Sequence, residues 1–142
     1  SFNLSHADDT AIYAIAVGRA VGIDVEAMGD VEIEGIARKV FATQECEALA
    51  ALPHEDRRAA FFRIWARKEA YVKALGGGLL IPLDQFDVSL DPNSPARLVR
   101  VQETPGDELP WSLHSFDPST EAVAALVCPK GNEPYLCGQW PA

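Results

Sequence analysis

The chain has 142 residues, enough for one globular domain with a buried core, and its 48% hydrophobic and 23% charged content is ordinary for a soluble protein. A net charge of −9 argues against nucleic-acid binding, which needs a basic face, and no apolar run approaches the ~20 residues of a membrane span. The three cysteines, Cys46, Cys128 and Cys137, lack CxxC spacing, which predicts a reduced, cytoplasmic protein without structural zinc.

Three short strands are predicted at the start of the chain, joined by polar or glycine-containing turns that would make two antiparallel hairpins. They cover Phe2 to His6, Ala11 to Val17 and Val21 to Glu26. In the third strand Asp24 and Glu26 alternate with apolar residues. Both carboxylates therefore project from one face, while Ile23 and Val25 point to the opposite, core-facing side.

The middle of the chain is predicted to be helical. Apolar residues at helical spacing indicate a helix over Val31 to Ala42, and Thr43 is a good N-cap for a short second helix. A third helix, His54 to Leu75, carries a mainly apolar stripe that includes Lys68 and ends at Gly76.

Further strands are predicted after the third helix, separated by turns rich in proline and acidic residues. They cover Phe86 to Leu90, Leu98 to Gln102, Trp111 to Phe116 and Ala122 to Val127. This order of elements predicts an α+β domain in which helices pack on one face of an antiparallel sheet. We expect residues 1–142 to form that single domain.

Two short motifs carry candidate chemistry, one on the third strand and one on the third helix. Glu69 and Lys73 lie one turn apart on the helix, so they share a face. If the strand and the helix meet, Glu69 converges with Asp24 and Glu26 beside a lysine, which suits Mg²⁺ and a phosphate-bearing substrate. Taken separately, each motif is more often an ordinary solvent-facing feature, and the helical pair is worth only about 0.2–0.5 kcal/mol.

Together with Phe2-Asn3-Leu4-Ser5-His6, these motifs resemble the 4′-phosphopantetheinyl transferases of the surfactin-synthetase-activating type. The signatures of that family are an FNxSH segment, a G-[IV]-D-[IVL]-E strand and a W-x-x-KE-[AS]-x-x-K helix, and all three occur here in order. The resemblance implies the half-domain fold of these enzymes. It also implies magnesium-dependent transfer of the 4′-phosphopantetheine group from coenzyme A to a serine of an acyl or peptidyl carrier protein.

The resemblance implies roles for the residues of the two acidic motifs. Asp24, Glu26 and Glu69 would hold Mg²⁺ against the pyrophosphate of coenzyme A. Glu69 would also accept the serine proton, directly or through water, and Lys73 would neutralise a phosphate oxygen as charge moves to the leaving group.

Other positions would bind the substrates. By resemblance, Ser5 and His6 would contact a phosphate of coenzyme A, and Lys68 would contact either a phosphate or a carboxylate of the fold. The segment from Gly76 to Phe86 would dock the carrier protein or tuck its apolar residues into the core. Those residues are Leu79, Leu80 and Ile81.

The position of FNxSH suggests that the chain resembles half of an enzyme. Members of this type normally consist of two similar halves with coenzyme A between them, and FNxSH lies near the middle, whereas here it begins at residue 2. We favour a C-terminal half over a half-sized enzyme completed by self-association, because Glu26 supplies a second strand acid that the small trimeric synthases typically lack. A half would expose an apolar face and self-associate. The alternative function is a non-catalytic half-domain that binds a carrier protein and needs the missing N-terminal half for activity.

Overall fold

The computed structural model describes residues 1–77, 80–131 and 137–139 and has the predicted α+β architecture. The helices are α1 (Ile33–Val40), α2 (Thr43–Ala51) and α3 (His54–Leu75). The strands are β1 (Phe2–Ala7), β2 (Thr10–Ile15), β3 (Gly22–Ala27), β4 (Phe86–Val88), β5 (Leu98–Val101), β6 (Thr104–Pro105), β7 (Trp111–Ser119) and β8 (Ala122–Pro129). Within these ranges no helix combines the length and apolar character that a membrane crossing requires.

The described strands form three antiparallel sheets, in the orders β1–β2, β3–β8–β7 and β4–β5–β6. The predicted second hairpin, between β2 and β3, is wrong. Instead β3 pairs along its whole length with β8, from Gly22 opposite Val127 to Ala27 opposite Ala122. Burial explains the difference, because β3 and β8 are largely buried on both faces, whereas alternate residues of β2 are exposed.

Strand β1 lies beside the edge of β3 that is not paired with β8, and it satisfies that edge with side chains. Asn3 Oδ1 accepts a hydrogen bond from the Ile23 N–H at 2.9 Å, and Ser5 Oγ accepts one from the Val25 N–H at 3.1 Å. The polar residues of β1 therefore fix how the β1–β2 hairpin is placed against the strand that carries the acidic motif.

Helix α3 packs on β3, β8 and β7, and its apolar residues form the centre of the main core. The helix and β3 touch through their backbones at Gly22, where a Cβ atom would lie 2.0 Å from the carbonyl oxygen of Ala70 and 2.5 Å from the nitrogen of Ala74. Glycine is required at this position because no side chain fits between strand and helix. As predicted, α3 ends at Gly76, whose φ of 72° is left-handed.

The start of α2 differs in detail from the prediction. Thr43 is the first residue of the helix and Ala42 is its N-cap, so Thr43 does not cap. The cap comes from Glu45, whose Oε2 accepts a hydrogen bond from the Ala42 N–H at 3.0 Å. A glutamate two residues into a helix can reach back to the N-cap amide in this way, which is half of a capping box.

Candidate active site

The structure brings the strand motif and the helix motif together. Lys73 Nζ donates to Asp24 Oδ1 at 2.7 Å and to the carbonyl oxygen of Ile23 at 3.1 Å. The carboxylate of Asp24 is almost completely buried, whereas the side chain of Lys73 is 29% exposed. This ion pair spans two elements and is half-buried, so Lys73 is more than a partner of Glu69 on a solvated helix face.

Glu26 and Glu69 lie near this pair and are both half-buried. Burial, a hydrogen bond shared with Asp24 and the negative charges of Asp24 and Glu69 raise the pKa of Glu26 to about 8, and Lys73 opposes the shift. Burial and the charge of Asp24 likewise raise the pKa of Glu69. The carboxyl groups therefore lie close together in a partly buried site, where a nearby cation would stabilise their ionised forms.

The acidic cluster fits a divalent metal ion in its chemistry. With Glu26 ionised, Asp24 Oδ2 is buried and accepts no hydrogen bond from a described residue, although buried carboxylate oxygens are normally paired. Carboxylate oxygens are the hard ligands that Mg²⁺ takes. The predicted convergence of three ligands is not reached, however, because within the described ranges no three Asp, Glu, His or Cys side chains are arranged to hold a metal ion together. Asp24 and Glu26 are the pair in direct contact.

Ser5 supports the acidic cluster. Its hydroxyl donates to Asp24 Oδ1 at 3.2 Å while accepting from the Val25 N–H, and the residue is only 7% exposed. The structure thus gives Ser5 a contact to a carboxylate, and its contact with a phosphate of coenzyme A stays a prediction. His6 follows on the opposite side of β1 and is exposed, so its contact with coenzyme A stays a prediction.

Lys68 lies away from the site, in the core. Its side chain is 0% exposed, and its Nζ forms an ion pair with Glu45 Oε2 at 2.8 Å. The same Nζ donates to the carbonyl oxygens of Leu83, at 2.5 Å, and Phe86, so its three N–H groups all have partners. Of the two contacts predicted for Lys68, the structure gives the carboxylate of the fold and corrects the assignment to a phosphate. The physical reason is that Lys68 belongs to the core-facing stripe of α3.

Glu45 is the residue of this region that the sequence analysis did not single out. Besides Lys68 and the Ala42 N–H, it binds β4, because its Oε1 accepts from the Val88 N–H at 2.8 Å. Burial raises the pKa of Glu45 and lowers that of Lys68, and each charge opposes the shift of the other. The cluster ties α2, α3 and β4 together. Its position as a capping glutamate is the one local signal that could have revealed it.

The segment predicted to dock a carrier protein is partly described. Leu80 is 89% exposed, whereas Ile81 packs against the main core. Leu79 lies outside the described residues. Leu80 thus fits the predicted exposed apolar surface, and Ile81 fits the predicted alternative of a residue tucked into the core.

Comparisons with known proteins agree with the motifs. A family model described as the 4′-phosphopantetheinyl transferase superfamily matches residues 20–128. The 4′-phosphopantetheinyl transferase HetI of Nostoc sp. (strain PCC 7120) is 38% identical over 127 residues, which are 89% of this chain and 50% of HetI. The 4′-phosphopantetheinyl transferase psf-1 of Bacillus pumilus is 31% identical, over 93% of this chain and 55% of psf-1.

Solved structures agree on the fold. The holo-[acyl-carrier-protein] synthase of Thermotoga maritima superimposes with a TM-score of 0.58 at 24% identity, over 80% of this chain and 64% of that chain. The chain spans about half the length of the curated relatives it matches.

Proposed function

The chain belongs to the 4′-phosphopantetheinyl transferase superfamily, and from this membership we propose that it forms the metal-binding, proton-accepting half of such an enzyme. The reaction is transfer of 4′-phosphopantetheine from coenzyme A to a serine of an acyl or peptidyl carrier protein. The observation that carries the proposal is the contact between the two motifs, in which Lys73 of α3 holds Asp24 of β3 beside Glu26 and Glu69.

In this proposal Asp24 and Glu26 hold Mg²⁺ together with Glu69. The bound ion supplies positive charge to the pyrophosphate of coenzyme A. Asp24 and Glu26 suit this role because they are in contact, and one Asp24 oxygen is buried without a donor.

The other residues act on the substrate atoms. The serine oxygen attacks the phosphorus that bears pantetheine, the bond to the departing 3′,5′-ADP oxygen breaks, and the serine proton passes to Glu69. A carboxylate with a raised pKa suits a general base near neutral pH. Lys73 is paired with Asp24 but partly exposed to solvent. Its ammonium group stabilises the phosphate oxygens as negative charge moves to the leaving group.

We further propose that residues 1–142 correspond to one half of a two-half enzyme that works in the cytoplasm, and that the chain alone self-associates. Two observations support this proposal: the match covers only about half of the length of HetI, and the chain has a net charge of −9. Coenzyme A carries several phosphates, and with Lys68 buried the site has Lys73 as its described cation. The alternative, a non-catalytic half-domain, gains weight from the same shortage of positive charge.

Binding of Mn²⁺, used as a spectroscopic substitute for Mg²⁺, tests the metal site. We expect the chain to bind Mn²⁺ in a titration followed by electron paramagnetic resonance, and Asp24→Asn to weaken binding at least about tenfold, because second-shell and ligand losses have effects of that size or larger. Asp9→Asn, an exposed acid at the hairpin turn, is the matched control. Equal affinity in both variants would remove the metal site from the proposal.

A chimeric enzyme tests catalysis. The chain replaces the matching half of HetI, and transfer to an apo carrier protein is followed by mass spectrometry. Glu69→Gln should lower turnover by at least about a hundredfold without changing the melting temperature, because a lost general base costs 10²–10⁴-fold. Glu47→Gln, on the exposed side of α2, should be silent. An active chimera in which both variants behave alike would favour the non-catalytic alternative.

A further inference from the structure

Ser5 lies on the side of β1 that faces β3. Successive residues of a strand alternate between its two sides, so Leu4 and His6 point to the exposed side, whereas Ser5 is only 7% exposed. Its hydroxyl donates to Asp24 Oδ1 at 3.2 Å and accepts from the Val25 N–H at 3.1 Å. These two roles are fixed, because the amide only donates and an ionised carboxylate only accepts. The single hydroxyl hydrogen of Ser5 is therefore directed at Asp24.

The two carboxylate oxygens of Asp24 have different surroundings. Oδ1 accepts from Ser5 and, at 2.7 Å, from Lys73 Nζ, so this oxygen is held by groups from both β1 and α3. With Glu26 ionised, Oδ2 is buried and accepts no hydrogen bond from a described residue. Two donors on the same oxygen restrict the rotation of the carboxylate, and Oδ2 is left as the oxygen that can bind a cation.

We propose that Ser5 is a positioning residue of the metal site, which fixes the rotation of the Asp24 carboxylate so that Oδ2 is presented to Mg²⁺ beside Glu26. Ser5 does not itself bind the ion. Groups that hydrogen-bond a ligating carboxylate orient it, and their loss typically weakens metal binding about 10–100-fold. This inference rests on the proposed function, because it concerns the metal site of that function.

The proposal makes the β1–β2 hairpin a part of the metal site. Strand β1 pairs along its whole length with β2, so Ser5 is carried by a paired strand and not by a loop. Lys73 reaches Oδ1 through a long, flexible side chain that is 29% exposed. The side chain of Ser5 is short and buried, so it provides the more rigid of the two contacts.

Asn3 provides an internal comparison. It lies two residues before Ser5 on the same side of β1, and its Oδ1 accepts from the Ile23 N–H at 2.9 Å. Both residues thus satisfy an amide on the edge of β3 that is not paired with β8. Within the described ranges the hydrogen bond of Asn3 goes to backbone alone, whereas Ser5 also contacts Asp24. Removing either side chain leaves one amide without its acceptor, so an effect on stability can be separated from an effect on metal binding.

Titration of the whole chain with Mn²⁺, followed by electron paramagnetic resonance, tests the proposal. We expect Ser5→Ala to raise the dissociation constant for Mn²⁺ at least about tenfold, and Ser5→Thr, which keeps the hydroxyl, to recover most of that affinity. Asn3→Ala is the matched control. It should lower the midpoint of urea denaturation by a similar amount to Ser5→Ala while leaving the affinity for Mn²⁺ unchanged. Should Ser5→Ala not fold, Ser5→Cys replaces the hydroxyl with a weak S–H donor and should show the same kind of loss.

A double-mutant cycle shows whether Ser5 acts through Asp24. In a chain that already carries Asp24→Asn, adding Ser5→Ala should cause no further loss of affinity for Mn²⁺, because the carboxylate that Ser5 orients is gone. If Ser5 acted on the ion independently, the two losses would multiply, and the positioning role would be overturned.

The titration also distinguishes failure of this proposal from failure of the metal site. A wild-type chain that does not bind Mn²⁺ would overturn both. A wild-type chain that binds Mn²⁺, and loses affinity with Asp24→Asn but not with Ser5→Ala, would overturn the positioning role alone. So would equal losses of affinity for Ser5→Ala and Asn3→Ala, because the effect would then come from the placement of the whole hairpin.

Discussion

Lys68 and Lys73 lie five positions apart on α3, and each pairs with a carboxylate and with backbone carbonyls, but Lys68 does so in the core and Lys73 at a partly exposed site. Five residues turn a helix by about 140° beyond a full circle, so the two side chains leave the helix on different sides. Lys68 enters the core and binds Glu45 and backbone carbonyls, whereas Lys73 reaches the rim of the acidic cluster. The two lysines of this motif therefore differ in role: Lys68 holds the helix in place, and in the proposed reaction Lys73 supplies charge to a phosphate.

Removing the buried lysine should destabilise the protein. Lys68→Met leaves Glu45 buried without its cation, which should lower the free energy of unfolding by about 3–5 kcal/mol. Lys39→Met makes the same chemical change at an exposed position of α1 and should cost at most about 1 kcal/mol. Urea denaturation measures both. Adding Glu45→Gln to Lys68→Met should recover part of the loss; equal losses for Lys68→Met and Lys39→Met would contradict the role of the pair.

Local periodicity predicted that the strand motif and the helix motif meet, but it did not give the partner of Lys68 or the spacing of the three carboxylates. Alternation along β3 fixes the side of Asp24 and Glu26, and helical spacing fixes the side of Glu69 and Lys73. The partner of Lys68 comes from a different helix, and nothing local to the motif specifies it. The contact of the Ser5 hydroxyl with Asp24 likewise depends on the position of β1 against β3, which is a tertiary property.

At the scale of elements, the site depends on how closely β3 approaches α3. The approach is closest at Gly22, two residues before Asp24, where the strand backbone meets the backbone of the helix at Ala70 and Ala74. Glu69 precedes Ala70, and Lys73 precedes Ala74. The glycine that permits contact therefore also brings the carboxylates of the strand within range of the charged residues of the helix.

Adding one methyl group at this contact should disturb both stability and the site. Gly22→Ala places a carbon atom 2.0 Å from the Ala70 carbonyl oxygen, so strand and helix must separate. We expect a loss of more than about 2 kcal/mol in unfolding free energy, the typical cost of overpacking, together with weaker Mn²⁺ binding. Gly29→Ala, where a Cβ atom would have no neighbour within 4 Å, is the control and should change stability by less than about 0.5 kcal/mol. A Gly22→Ala protein as stable as the control would show that the contact relaxes freely.

The elements themselves followed from the sequence more completely than their pairing did. The long helix and its stop at Gly76 were predicted to the residue, because propensity, apolar periodicity and a glycine all agree there. The neighbour of β3 was predicted incorrectly, because adjacency in sequence favoured β2. Strand β8, the last strand in chain order, is buried and apolar and is a better partner for β3. Such long-range pairing leaves no local signature in the sequence.

At the scale of the whole molecule, the distribution of charge supports the proposal that a second half completes the site. The chain has 12 basic and 21 acidic residues, and the site places the carboxylates of Asp24 and Glu26 in contact beside Lys73, with Glu69 nearby. Mg²⁺ can offset this charge at the pyrophosphate, but the remaining phosphate of coenzyme A needs cations of its own.

The 142-residue chain, alone and monomeric, should therefore have little or no transferase activity. Each missing phosphate-binding group costs about 10²–10³-fold in turnover, because charge that develops in the transition state is left to water. Incubation with coenzyme A, Mg²⁺ and an apo carrier protein, followed by mass spectrometry of the carrier, measures the rate. Full-length HetI under the same conditions is the positive control, and light scattering of the same sample gives the oligomeric state. Loading by a monomer at the rate of HetI would mean that one copy holds a complete site. Loading by an oligomer would instead mean that the site is completed between copies.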